Sequence, residues 1–135
     1  MLRLTKKTEY AIIALKRIIA EQERNPQVIV SASEIAKKFN IPRGLLGKVL
    51  QQLARHGFIT SHQGATGGYT LSKNPADISL NEIVAAIEGP VSVVECITED
   101  GDECSQLENC NIQSPVMNIQ RNLTNYFKNI SLKDL

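Results

Sequence analysis

Three cysteines, Cys96, Cys104 and Cys110, stand with seven and five residues between them in a chain of 135. Their surroundings are polar and acidic, with Gly101, Asp102 and Glu103 just before the second thiol. An odd number of thiols does not build a complete disulfide framework in a reducing compartment, and so polar a stretch does not suit three buried structural thiols. Metal binding, redox sensing and nucleophilic catalysis remain. Catalysis requires a base within reach of a thiol, and both histidines, His56 and His62, lie in the other half of the chain. An enzyme is therefore the least supported reading. Three thiolates on a loop suit a soft metal or an iron-sulfur cluster completed by a fourth ligand from elsewhere. The spacing is not the paired C-x-x-C pattern of zinc sites.

A second group of residues suits a polyanion. The formal net charge is only +1, but residues 1–75 hold 12 Lys and Arg against 4 Asp and Glu, whereas residues 76–135 hold 3 against 10. One half is thus +8 and the other −7. A basic face meant for nucleic acid and an acidic part kept away from it would have this distribution. Arg43, Gly44, Gly47 and Lys48 open a helix that can enter a major groove. Arg43 has the two-pronged donor set for a guanine edge, and Lys48 suits a phosphate. Gly44 and Gly47 permit close approach. Gln63, Gly64, Ala65, Thr66, Gly67 and Gly68 form a small-residue tip able to follow the backbone or reach into the minor groove. Ser33 and Lys38 join the candidate DNA contacts; Lys37, Lys38 and Arg55 fit phosphate ligation and plain solvated surface equally well. A winged helix serving only as a protein adaptor is the competing use of the same elements.

These residues need elements to hold them. Thr5 caps a helix expected over residues 6–23, where Ile12, Leu15, Ile18 and Ile19 recur at helical spacing and Asn25-Pro26 ends the run. Ser31 and Glu34 have the capping-box spacing for a short helix ending at Phe39 and Asn40. Pro42 suits the first turn of the next helix, which Leu45, Leu46, Val49, Leu50 and Leu53 carry to His56, with Gly57 closing it. Phe58 to Thr60 and Tyr69 to Leu71 read as a hairpin. Ser79 and Glu82 open another capped helix that Gly89-Pro90 terminates. Pro115 starts the last helix. Its stripe of Ile112, Val116, Ile119, Leu123, Tyr126 or Phe127, and Ile130 is either intramolecular core or a dimer seam. The seam is preferred, because a DNA reader of this size needs two half-sites.

The expected architecture is mainly α with a small β-hairpin wing: a winged helix-turn-helix over residues 1–75, then a cysteine loop and a long C-terminal dimerisation helix over residues 76–135. At 42% apolar and 21% charged residues the chain should fold. Aromatics are only 4%, so Ile, Leu, Val and Ala must build the core. The best apolar stretch, Tyr10 to Ala20, is interrupted by Lys16 and Arg17, so no membrane span is expected. Lys6, Lys7 and Glu9 crowd the start without a cleavage site after them, which reads as cytoplasmic rather than secreted.

Arg3-Leu4-Thr5-Lys6, the wing ending Gly67-Gly68-Tyr69 before Leu71, the stretch from Ile83 to Gly89, and three cysteines followed by a long helix together resemble the IscR/NsrR-type iron-sulfur winged-helix regulators. The resemblance runs over nearly the whole chain and is strongest to the branch that regulates SUF-type cluster assembly. It implies a homodimeric transcription regulator of double-stranded DNA, usually a repressor, whose promoter affinity follows the state of a 2Fe-2S or 4Fe-4S cluster. It maps the cluster ligands onto Cys96, Cys104 and Cys110. IscR-like members take a fourth ligand from a histidine three residues after the last cysteine, where this chain has Gln113, a poor iron ligand. NsrR-like members use an acidic residue of the partner's first helix, which corresponds to Glu9 and is the preferred choice. A recognition-helix glutamate that contributes to site choice in IscR-like proteins is replaced by Gly47, and a common wing arginine by Gln63. The operator sequence does not carry over. A thiol-redox or zinc-binding regulator without a cluster is the alternative.

Overall fold

The computed structural model describes residues 2–94 and 104–135. Helix α1 (Lys6–Arg24) begins where Thr5 Oγ1 accepts a hydrogen bond from the Thr8 amide at 3.3 Å. Glu9 in its first turn and Arg24 in its last match the helix dipole. Its inward face presents Ala11, Ala14, Leu15 and Ile18, all fully buried. Helix α2 (Ala32–Phe39) is capped by Ser31, whose Oγ accepts from the Glu34 amide at 3.1 Å. The capping box expected there is only half made. The Glu34 carboxylate turns away from Ser31 and accepts two hydrogen bonds from Arg17 of α1 instead, because a guanidinium offers charge-assisted bonds that a backbone amide does not.

Asn40 ends α2 in the left-handed region, at φ 52°, a conformation its short amide side chain tolerates. Two residues later α3 (Arg43–Arg55) begins, with Pro42 immediately before the helix rather than inside its first turn. Leu46, Val49, Leu50 and Leu53 bury its inner face. Strands β1 (Ile59–His62) and β2 (Gly68–Leu71) pair antiparallel in the register Ile59 to Leu71, Thr60 to Thr70, Ser61 to Tyr69 and His62 to Gly68. Val30 adds a single rung on the other side of β2, its N–H donating to Tyr69 O at 3.0 Å and its carbonyl accepting from Tyr69 N at 2.8 Å. That approach explains Gly68: a Cβ there would stand 2.4 Å from Val30 O. Helix, helix, tight turn, helix and hairpin make a winged helix-turn-helix.

Helix α4 (Leu80–Glu88) has the complete capping box. Ser79 Oγ accepts from Glu82 N at 3.1 Å and Glu82 Oε2 accepts from Ser79 N at 2.8 Å. Gly89, at φ 91°, stops it. Helix α5 (Gln113–Asn129) starts two residues before Pro115 and packs on α4. Its far end is fixed by backbone bonds from Leu80 N to Ile130 O at 2.8 Å and from Leu132 N to Ile78 O at 2.7 Å. One core serves all of this, and it is aliphatic as the composition requires: Leu15, Ile18, Ile35, Leu46, Leu50 and Leu53 meet Ile78, Ile83 and Leu132. Each such side chain contributes about 1.5–3 kcal/mol of burial. No helix among the described residues is long and apolar enough to cross a membrane.

Candidate nucleic-acid interface

The start of α2, the start of α3 and the wing converge on one polar cleft of about 450 Å³. Ser31 and Ser33 line it from α2, Arg43 from α3, and Ser61, His62, Gly64 and Gly67 from the hairpin. Of the residues expected to touch DNA, the cleft thus gathers Ser33, Arg43, Gly64 and Gly67. Gly44, Lys48, Lys38, Gln63 and Thr66 are exposed outside it. Lys38 Nζ lies 6.0 Å from the Phe39 ring centroid, at the limit of a cation–π contact.

Two cleft residues escape sequence reasoning, Ser61 and His62. Nothing in their types marks them, and only the strand register carries them to the cleft wall. His62 Nε2 lies 2.9 Å from Thr70 Oγ1 across the hairpin, which fixes its ring. The wing tip is held by a bond from Gly67 N to Gly64 O at 3.0 Å, and a Cβ on Gly67 would fall 2.7 Å from His62 O. Gly44 and Gly47 differ: a Cβ on either meets no atom within 4 Å. The packing of the chain does not ask for them.

Charge on this face is unspent. Among the described residues, ion pairs involve Lys6, Arg17 and Arg24, and none involves Lys38, Arg43 or Lys48. The first turn of α3 carries no acid. Behind the face, α1 ties the parts together. Arg17 Nε and Nη2 donate to Glu34 Oε1 of α2 at 3.0 and 2.6 Å, and Gln22 Oε1 accepts from the Leu71 amide of β2 at 2.8 Å.

Of the expected cofactor ligands, Cys104, Cys110 and Glu9 are among the described residues, and none of these three lines the cleft. Cys96 falls outside the described residues. Cys104 and Cys110 are free thiols, each half-exposed, and Cys110 directly follows a 3-10 turn over Leu107–Asn109. Glu9 is half-buried and paired with Lys6, 2.8 Å away. That hydrogen bond, and then the attraction between the charges, raises the Lys6 ammonium above its ordinary pKa of 10.5. Among the described residues no group of three or more His, Cys, Asp or Glu side chains is assembled for a metal. Two free, solvent-reachable thiols are nonetheless the donor type that a soft metal or cluster takes.

Glu88 at the end of α4 accepts from Thr5 N at 2.9 Å and from the hydroxyl of Thr8, the residue before Glu9, at 2.8 Å. Partial burial pushes its carboxyl up, the bonds from Thr5 and Thr8 outweigh that, and the group stays below its ordinary 4.5.

The model of the Rrf2 family, iron-dependent transcriptional regulators, matches residues 4–135. The rrf2-like HTH-type transcriptional regulator of Rhodobacter capsulatus is 32% identical over 114 residues, 82% of this chain and 76% of that protein. The HTH-type transcriptional regulator IscR of Klebsiella pneumoniae is 27% identical over 134 residues, 99% of this chain and 79% of that one. Among solved structures, CymR of B. subtilis, the global cysteine regulator, superposes with a TM-score of 0.74 at 24% identity, covering 99% of this chain and 95% of its own. IscR of T. potens gives 0.69 at 22%, covering 98% and 85%. These likenesses in structure carry the winged-helix fold, and the sequence match across nearly the whole chain carries the lineage: the protein belongs to the Rrf2 family of transcriptional regulators.

Proposed function

We propose that the chain is a cytoplasmic repressor that grips double-stranded DNA as a homodimer, residues 1–75 reading the operator and residues 76–135 sensing and pairing. The observation that carries this is the cleft in which Ser33, Arg43, Gly64 and Gly67 meet, with exposed Lys38 and Lys48 that form no ion pair among the described residues. Arg43 reads a base edge from the start of α3, Gly44 lets the helix come close, and Lys48 and Lys38 take phosphates. Ser33 donates to the backbone from the first turn of α2. Gln63, Gly64, Thr66 and Gly67 follow the adjacent strand from the wing.

Pairing is supported by α5, none of whose residues is fully buried. Ile112, Ile119 and Tyr126 are 56%, 52% and 64% exposed and recur every seven residues, which places them along one line of the helix. Two heads joined this way meet successive major grooves roughly 34 Å apart.

Regulation is assigned to an iron-sulfur cluster held by Cys96, Cys104 and Cys110 with Glu9 of the partner subunit. When bound, such a cluster supplies a crosslink that oxidants or loss of iron remove. Glu9 must leave Lys6 to serve, so the Lys6 ammonium competes with that role. A second reading, a thiol switch without a cluster, is favoured by the free, half-exposed Cys104 and Cys110.

An anaerobic titration of operator DNA separates these. Loaded protein, stripped protein and Cys104→Ser should differ in affinity, and identical affinities overturn cluster control. Iron and sulfide in the purified protein support the cluster, whereas a mass change of two protons on reduction without iron supports the thiol switch. Binding should weaken steeply with salt, Lys48→Ala should weaken all sequences alike, and Arg43→Ala should relax discrimination. Salt-insensitive binding would favour a protein adaptor.

A further inference from the structure

Helix α1 is bonded to other elements toward both of its ends. Near its C-terminal end Arg17 holds α2 and Gln22 holds the wing strand β2. At its N-terminal end the Thr5 amide and the Thr8 hydroxyl hold Glu88. Among the described residues Thr8 is the one polar side chain that is fully buried, so this contact is internal on the α1 side and open on the Glu88 side.

Glu88 stands at a particular place in the chain. It is the last residue of α4, followed by Gly89 at φ 91° and Pro90. The chain then passes Val91 and Val93, whose carbonyl and amide are both taken by the Gln120 side chain of α5, and goes on toward the cysteines. A displacement of the cysteine segment reaches this junction through the stretch that Gln120 holds. On the other side of it lies a single helix of 19 residues, about 28 Å at 1.5 Å per residue. That helix is bonded to two of the three elements of the candidate DNA surface, α2 and the wing.

We propose that Glu88 is a positioning residue that couples the cysteine segment to the DNA-reading surface through α1. The proposal rests on the regulatory reading above. Coupling between distant sites requires an element with discrete alternative arrangements. A carboxylate with two directional bonds to a helix N-terminus is either seated or released, whereas an aliphatic contact deforms gradually. With Glu88 seated, α1 is fixed at its start and the register of α2 and the wing follows. With Glu88 released, the Thr5–Thr8 turn loses its outer anchor, and Glu9, one residue beyond Thr8, shifts with it.

The test uses the full chain purified anaerobically, as wild type, Glu88→Ala, Glu88→Gln and Thr8→Val. Glu88→Gln keeps an oxygen for both donors, and Thr8→Val keeps the buried shape without the hydroxyl. Iron and sulfide content, melting temperature and operator affinity are measured for loaded and stripped protein. Wild type should show a loaded-to-stripped affinity ratio well away from one. Glu88→Ala should take up the same iron and bring that ratio at least fivefold nearer to one; Thr8→Val should do so partly, and Glu88→Gln should keep most of it. In stripped protein, amide exchange in Glu88→Ala should quicken at Thr5 and also at Leu71 in the wing. A variant that melts earlier but keeps the wild-type ratio, or quickened exchange confined to residues near Thr5, overturns the coupling role. A wild-type ratio of one overturns the regulatory reading itself, whereas the exchange at Leu71 judges the mechanical link alone.

Discussion

Arg17 of α1 and Glu34 of α2 are joined by two hydrogen bonds to a single oxygen, with Nε at 3.0 Å and Nη2 at 2.6 Å from Oε1. The same guanidinium lies 2.8 Å from Glu21 Oε1, which has no hydrogen-bond partner of its own. Among the described residues Arg17 is thus the one cation shared by two carboxylates, and it ties α2 to α1. Arg17→Met fills the space but leaves Glu34 without its counter-charge and Glu21 with only Arg24, 3.7 Å away. Since the site is only partly exposed, the expected cost is about 1–2 kcal/mol in urea unfolding. Operator affinity should fall as well, because α2 carries Ser33. A change below about 0.5 kcal/mol would mean that solvent screens the pair.

Gly44→Ala and Gly47→Ala should move stability and binding in opposite directions. Glycine inside a helix costs about 1 kcal/mol relative to alanine, and a Cβ at either position meets open space. Each variant should therefore melt higher than wild type. If the α3 backbone approaches the groove closely, each should also bind the operator several-fold more weakly. Calorimetry and a binding titration on the same samples check both; a variant that melts higher and binds equally well removes that glycine from the contact surface.

The parts of this fold that are legible in the sequence are those set by local chemistry. Thr5, Ser79 and Glu82, Asn40, Gly57 and Gly89 each mark an element end that their own side chain, or its absence, determines. The misreadings arise where a distant residue wins. Glu34 leaves its capping box for Arg17, 17 positions earlier in the chain on α1. Helix α5 starts at Gln113 because nothing forces Pro115 to be its first residue. The candidate DNA surface was legible where charge or glycine marks it, at Arg43, Lys48 and Gly64. Ser61 and His62 were not, since strand register rather than residue type brings them to the cleft.

Acid should weaken the fold partly through Glu88. Its carboxyl titrates below the ordinary 4.5 when folded, so across that interval the unfolded chain binds more protons than the folded one. The contribution is therefore fully present above about pH 4.5 and is lost as pH falls through the lower folded-state value. Glu88→Ala has no such group to protonate. The stability gap between wild type and Glu88→Ala should be widest near neutral pH and narrow as pH falls below the ordinary 4.5. Urea midpoints across that range measure it, and a constant gap would assign the loss at Glu88 to packing alone.

Ile119 decides whether the exposed line of α5 is covered in solution. It is 52% exposed in the single chain, so Ile119→Asp costs an isolated molecule little. In a two-fold pair meeting along Ile112, Ile119 and Tyr126, the same change buries two unpaired carboxylates, at about 3 kcal/mol or more. Asn125, also exposed on α5, lies about 100° around the helix from Tyr126 and about 120° from Ile119 at 100° per residue, and Asn125→Asp adds the same charge there. Sedimentation equilibrium should give a dimer for wild type and Asn125→Asp and a monomer for Ile119→Asp. The monomer should also bind a two-half-site operator far more weakly while holding a single half-site as before, because only the bivalent gain has gone. Dimers in all three samples would move the seam away from this face of α5.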